Sequence, residues 1–140
     1  MKNVWILFLL VGLLVGCTAP IKQVEDTTVG TPVASGPVMR SFSASTVSSG
    51  DTIIVTLTKN LNADQTTLLT EDYFPAGWSV VDAGTGTVAG NAIRWAELTG
   101  AKSGAYTYSV KATSDSGTWS GQYSVNGATP VDIGGSKTLT

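Results

Sequence analysis

Over 140 residues, eight lysines and arginines stand against ten aspartates and glutamates, a formal net charge of −2, and there is no histidine. A mildly acidic chain offers no cationic footprint for nucleic acid, and the lack of histidine removes the commonest general base and metal ligand at neutral pH. With one cysteine no internal disulfide can form, so stability must come from packing; the length is ample for one core and too small for two.

The chain opens with Met1-Lys2-Asn3, a polar start with one positive charge, and then runs apolar from Val4 to Val15. As a helix about a dozen residues long this run covers ~18 Å, well short of a ~30 Å hydrocarbon core. It has the layout of an export signal rather than a comfortable span. The run closes on Leu14-Val15-Gly16-Cys17, a string that resembles the lipobox of prokaryotic lipoproteins. The resemblance implies diacylation of the Cys17 thiol and cleavage between Gly16 and Cys17, leaving residues 1–16 as a signal peptide. The alternatives are an ordinary signal peptide with Cys17 incidental, and a transmembrane anchor. A diacylglyceryl group holds far more firmly than one acyl chain, because each buried methylene contributes about 0.8 kcal/mol. The covalent lipid on Cys17 is the one prosthetic group expected, with no other cofactor and no metal.

Residues 17–37 carry the lipidated cysteine and a stretch rich in threonine, proline and glycine, including Thr27, Thr28, Thr31, Pro32 and Pro37. Such a stretch has too little apolar surface to offset the entropy of ordering and reads as a flexible tether. Twenty residues of this kind reach about 25 Å on average. The chain contains no Asn-x-Ser/Thr sequon.

From Val38 the pattern changes to period two. Ile53, Val55 and Leu57 alternate with Thr52, Ile54 and Thr56; Tyr106, Tyr108 and Val110 alternate with Thr107 and Ser109; Trp119, Gly121, Tyr123 and Val125 alternate with Ser120, Gln122 and Ser124. These read as half-buried antiparallel strands. Further strands are predicted at 39–45, 66–72, 78–83, 91–98 and 131–139. Turn signals separate them, among them Ser49-Gly50-Asp51, Pro75-Ala76-Gly77, Gly84 to Gly90, Gly100 to Gly104 and Asn126-Gly127. Residues 38–140 are therefore expected to form an all-β, antiparallel two-sheet sandwich of seven or eight strands.

The order of these landmarks adds a second resemblance. Arg40-Ser41-Phe42, Ser49-Gly50-Asp51 leading into Ile53, Val55 and Leu57, Glu71-Asp72 with Pro75, Gly77 and Trp78, then Asn91, Ile93 and Trp95, Tyr106 to Val110, and Gly117 to Tyr123 together look like an immunoglobulin-like repeat domain of archaeal and bacterial cell-surface proteins. Such domains are extracellular spacers or adhesion modules without catalytic residues of their own. A single copy directly behind a lipid anchor departs from their usual multi-domain arrangement.

Groups that could carry chemistry are few. Glu71 and Asp72 are adjacent, so on a strand they point to opposite faces and cannot cooperate as acid and base; they read as a polar strand end. Without histidine a conventional nucleophile triad cannot be built. The acidic, glycine-containing turns Asp82-Ala83-Gly84 and Asp115-Ser116-Gly117 lack the carboxylate spacing of a calcium loop. Lys59, Lys111, Glu97 and Asn126 are the residue types of a Lys–Asn crosslink without its spacing. Trp78 and Trp95 fall in phase with Val80 and Ile93 and read as core. Trp119, beside the gap left by Gly121, reads as core on balance. Tyr73 and Phe74, together with Trp119, are the aromatic candidates for a ligand-binding surface. Arg94 is expected to face solvent or to pair with Glu97 or a cross-strand acid.

The sequence thus predicts an exported, non-enzymatic β-sandwich, anchored by Cys17 to a cell or outer membrane and facing the periplasm or exterior. Its expected partners are membrane lipid and another envelope protein or a polysaccharide, with no nucleic acid. A carbohydrate-binding lipoprotein using exposed aromatics is the second reading, and a lipid-anchored hydrolase the third.

Overall fold

A computed structural model describes residues 36–140; the signal peptide, Gly16 and Cys17 lie outside the described residues, as does the tether up to residue 35. Strands form where apolar side chains alternate. In chain order they are β1 (Val38–Phe42), β2 (Thr52–Asn60), β3 (Thr67–Tyr73) and β4 (Ser79–Asp82). Then come β5 (Thr87–Ala89), β6 (Ala92–Leu98), β7 (Ser103–Lys111) and β8 (Gly117–Thr118). The last are β9 (Ser120–Val125), β10 (Val131–Asp132), β11 (Gly134–Gly135) and β12 (Thr138–Leu139).

One sheet has the order β11-β1-β2-β7-β4, the other β10-β9-β3-β6-β5, and β12 pairs with β8 at one margin. The pairings are antiparallel apart from the short parallel contact of β1 with β11. The fold is thus an all-β sandwich of two main sheets. Period two decides which residues line its interior. β2 turns Ile53, Val55 and Leu57 inward, opposite Val110, Tyr108 and Tyr106 of β7. The facing sheet contributes Leu68 from β3, Ile93 and Trp95 from β6, and Tyr123 from β9.

Aromatic rings fill the space between the sheets. Trp119 lies 4.4 Å from Phe42 between ring centroids and meets Trp78 edge-on at 5.2 Å. Trp95 stacks on Tyr106 at 5.0 Å with an interplanar angle of 11°. Trp78, Trp95 and Trp119 are all buried, and so is Phe74. The burial of Phe74 corrects the expectation that it joins a ligand surface, and that of Trp119 bears out its reading as core over its alternative as a ligand-binding ring: both rings fill the core. Tyr73 alone of the three candidates reaches solvent, half-buried.

The segment 131–139, expected as one strand, is broken into β10, β11 and β12. Gly134-Gly135 lets the chain leave the second sheet and join the first. At Gly135 φ is +82°, and a Cβ there would lie 2.2 Å from the Arg40 carbonyl oxygen, so the close approach of β11 to β1 requires glycine. The Gly84 to Gly90 turn likewise contains the short edge strand β5. These pieces raise the strand count above the seven or eight expected without changing the architecture.

Candidate functional site

Two polar clusters lie between the sheets, each bringing one strand's charge to another's. Arg40 on β1 and Asp72 on β3 are side-chain ion-pair partners with no solvent exposure at either group. The Arg40 Nε donates to both Asp72 oxygens at 3.1 and 3.2 Å, and its Nη1 donates to the Ser136 carbonyl at 3.1 Å. The Tyr108 hydroxyl donates to Asp72 Oδ2 at 2.7 Å and accepts from Trp119 Nε1 at 3.1 Å. Gly121 explains how the pair fits: a Cβ there would lie 2.6 Å from Asp72 Oδ1 and 2.9 Å from Arg40 Nη2. Burial pushes the Asp72 carboxyl up, while the bonds from Arg40 and Tyr108 pull the other way.

In the second cluster Lys59 pairs with Glu97, whose Oε2 also accepts from the Tyr106 hydroxyl at 2.7 Å. Burial alone would raise the Glu97 carboxyl, but the bonds from Lys59 and Tyr106 outweigh it and hold it below the usual range. Of the residue types of a Lys–Asn crosslink, Lys59 and Glu97 are brought together, whereas Asn126 is bonded elsewhere, accepting from the Thr66 and Thr67 amides. Asp82 accepts from the Gly84 amide and Asp115 from the Ser49 amide, each carboxylate serving a turn. Among the described residues no three His, Cys, Asp or Glu side chains gather to hold a metal ion.

Two of the buried tyrosines, Tyr106 and Tyr108, make stability depend on alkaline pH. Burial raises both hydroxyls above the ordinary tyrosine range, reinforced by Glu97 at Tyr106 and by the charge and bond of Asp72 at Tyr108. The unfolded chain releases these protons near pH ~10 while the folded chain keeps them. The folded state then binds more protons, so its stability is fully present below pH ~10 and falls as pH rises, by up to about 1.4 kcal/mol per pH unit for each group. Urea midpoints measured from pH 8 to 11.5 should therefore fall steeply above pH 10, and less steeply in Tyr108→Phe. A flat profile would show that neither hydroxyl is protected.

The outer face of the second sheet carries a different set. Glu71, next in sequence to buried Asp72, points the opposite way and pairs with Arg94 of β6, the cross-strand acid expected for that arginine. Hydrogen bonding with Tyr73, joined by pairing with Arg94, holds the Glu71 carboxyl below the usual range against the opposing effect of burial. The strand register sets five side chains in one line across the sheet: Asp132 opposite Gln122, Gln122 opposite Glu71, Glu71 opposite Arg94, and Arg94 opposite Thr87. Lys137 lies 3.8 Å from Asp132 at the end of the line. Three recesses border it. One of about 340 Å³ lies beside Leu69, Thr87, Arg94 and Ala96, one of about 210 Å³ beside Tyr73, Gln122, Asp132 and Lys137, and one of about 160 Å³ beside Leu69, Gln122 and Pro130.

Sequence reasoning named Tyr73, Glu71 and Arg94 separately but missed their alignment with Gln122, Asp132 and Thr87, because pairing register across five strands is not visible in one sequence. Arg40 and Asp72 were missed as partners because they stand on different sheets, and how two sheets face each other is not visible in one sequence either.

No family model matches the chain, and no curated protein matches it. Among solved structures it is similar to the solution structure of the chitin-binding domain of a hyperthermophilic chitinase from Pyrococcus furiosus, at 17% identity and a TM-score of 0.41, over 69% of this chain and 96% of that chain.

Proposed function

We propose that the chain is a lipid-anchored, envelope-facing β-sandwich with a non-enzymatic structural or adhesion role. The observation that carries this reading is the division of labour between the two faces of β3. Asp72, the carboxylate that shares a dipeptide with Glu71, is committed to a buried ion pair across the core, and Glu71 stands on the opposite face. The two carboxylates therefore cannot flank one bond, as acid and base must. The large aromatic rings are likewise spent on cohesion between the sheets, which favours a rigid module presented at a surface. The lipobox-like Leu14-Val15-Gly16-Cys17 supports attachment through the Cys17 thiol, and the tether that follows supports presentation away from the bilayer.

The test is Cys17→Ser expressed beside the parent chain in a bacterial host fed labelled fatty acid. The parent should take up label and sediment with membranes; the variant should take up none and accumulate as uncleaved precursor or in the soluble fraction. Label persisting in Cys17→Ser would remove the anchor from the proposal.

A further inference from the structure

We propose that the outer face of the β10-β9-β3-β6-β5 sheet is a binding face for a neutral, extended polysaccharide, gripped by the cross-strand line Asp132, Gln122, Glu71, Arg94 and Thr87. This rests on the non-enzymatic adhesion reading above and names its ligand class. Four observations converge on it.

The line is straight, because each of its members sits opposite the next in the strand register. With neighbouring strands ~4.8 Å apart, four steps cover about 19 Å. A ligand matching it must itself be straight and present similar groups at a similar interval, which an extended chain of β-linked sugar rings does.

The chemistry of the line is that of hydroxyl recognition. Carboxylate, carboxamide and guanidinium are planar groups that each engage two neighbouring polar atoms, and a sugar hydroxyl both donates and accepts, so it can bond to any of them. The charges at the site cancel: Glu71 and Asp132 are balanced by Arg94 and Lys137. A polyanion would meet the two carboxylates and a polycation the two cations, whereas an uncharged chain meets neither penalty.

The side chains are open to a ligand, and the central pair of Glu71 and Arg94 is held in place. Arg94 is 58% exposed at its side chain and Asp132 76%. Their backbones belong to a hydrogen-bonded sheet, and Arg94 is further oriented by its pairing with Glu71. At that pair little ordering is left to be done on binding. Beside the line Tyr73 offers the one half-exposed ring among the aromatic candidates, suited to the apolar face of a sugar.

The recesses are placed for a chain rather than a single small molecule. Each of the three is lined by members of the line, and together they lie on both sides of β3. A polypeptide partner fits the face less well. An added strand docks on a sheet edge, where backbone groups are free. A protein interface is anchored by several large apolar side chains in fitted pockets, whereas none of the line's five members is apolar and Leu69 beside it is 46% exposed rather than seated in a pocket.

The experiment titrates the full chain, purified in detergent, with cellohexaose and chitohexaose by calorimetry, and repeats the titrations with Arg94→Ala, Gln122→Ala and the double variant. At least one hexaose should bind saturably, its dimer at least tenfold more weakly because it fills only part of the line. Each single variant should weaken the hexaose about tenfold, with the thermal midpoint unchanged. Failure of both hexaoses to bind, or full affinity in the double variant, overturns the proposal, as does a preference for a hexamer of galacturonic acid. Fatty-acid labelling of the same preparation separates the two readings. A labelled chain that binds neither hexaose keeps the anchor and loses this site, and an unlabelled chain that binds through Arg94 and Gln122 does the reverse.

Discussion

Asp72→Ala is expected to lower stability by about 3 to 5 kcal/mol, a large share of the roughly 5 to 15 kcal/mol that holds a domain folded. The substitution leaves the Arg40 guanidinium with no solvent exposure and no counter-charge, and it strips the Tyr108 hydroxyl of its acceptor. The cost is that of a stranded charge rather than of a lost attraction. A double replacement, Arg40→Met with Asp72→Leu, removes both charges and should regain most of the loss. Urea unfolding checks both: the midpoint should fall by a molar unit or more in Asp72→Ala and recover in the double variant. Because the pair is shielded from solvent, the difference should persist in high salt. A single variant as stable as the parent would mean that the sheets are held together without this pair.

Trp119→Ala is expected to cost about as much, roughly 3 to 5 kcal/mol, through a different cause. The indole is packed between Phe42 and Trp78, and its N–H is bonded to Tyr108. Truncation opens a cavity in the core and leaves the Tyr108 hydroxyl short of a donor. Trp119→Phe retains most of the volume while losing the bond, so its smaller loss separates packing from hydrogen bonding. Calorimetric melting should show both transitions below the parent's, with the alanine variant lower. An alanine variant that melts with the parent would mean that the ring is not part of the core.

What the sequence made legible was the set of strands whose inner positions are apolar. The Ile53, Val55, Leu57 series and the Tyr106, Tyr108, Val110 series each declare a buried face by alternation alone, and the structure pairs them directly. The same alternation carries Lys59 and Arg40 inward, both buried, but it cannot say what would neutralise them. Their partners lie 38 and 32 residues away on the facing sheet, and such pairings depend on how two sheets meet. Asp72 read as a polar strand end for that reason. Trp119 and Phe74 were ambiguous because an aromatic ring serves equally well inside a sandwich or on its surface, and the choice is made by neighbours far along the chain. The C-terminal segment misled in another way: nothing in its apolar spacing shows that Gly134-Gly135 carries it from one sheet to the other.

The ion pair between Arg40 and Asp72 has a mechanical meaning as well. On the proposed reading, tension from an anchored N-terminal side would enter the domain at β1, whereas a ligand held on the outer face of the second sheet would pull on β3 through Glu71, the immediate neighbour of Asp72. The pair lies on the route between those two points and joins the strands across the interior. The parallel contact of β1 with β11 lies along the strand axis, so a pull in that direction loads its bonds in shear, and they must give way together rather than unzip one by one. Strain of that kind would be shared by a charged link between the sheets and a lateral clamp within one of them, and the strand it loads most is the one stitched on both sides and through its centre.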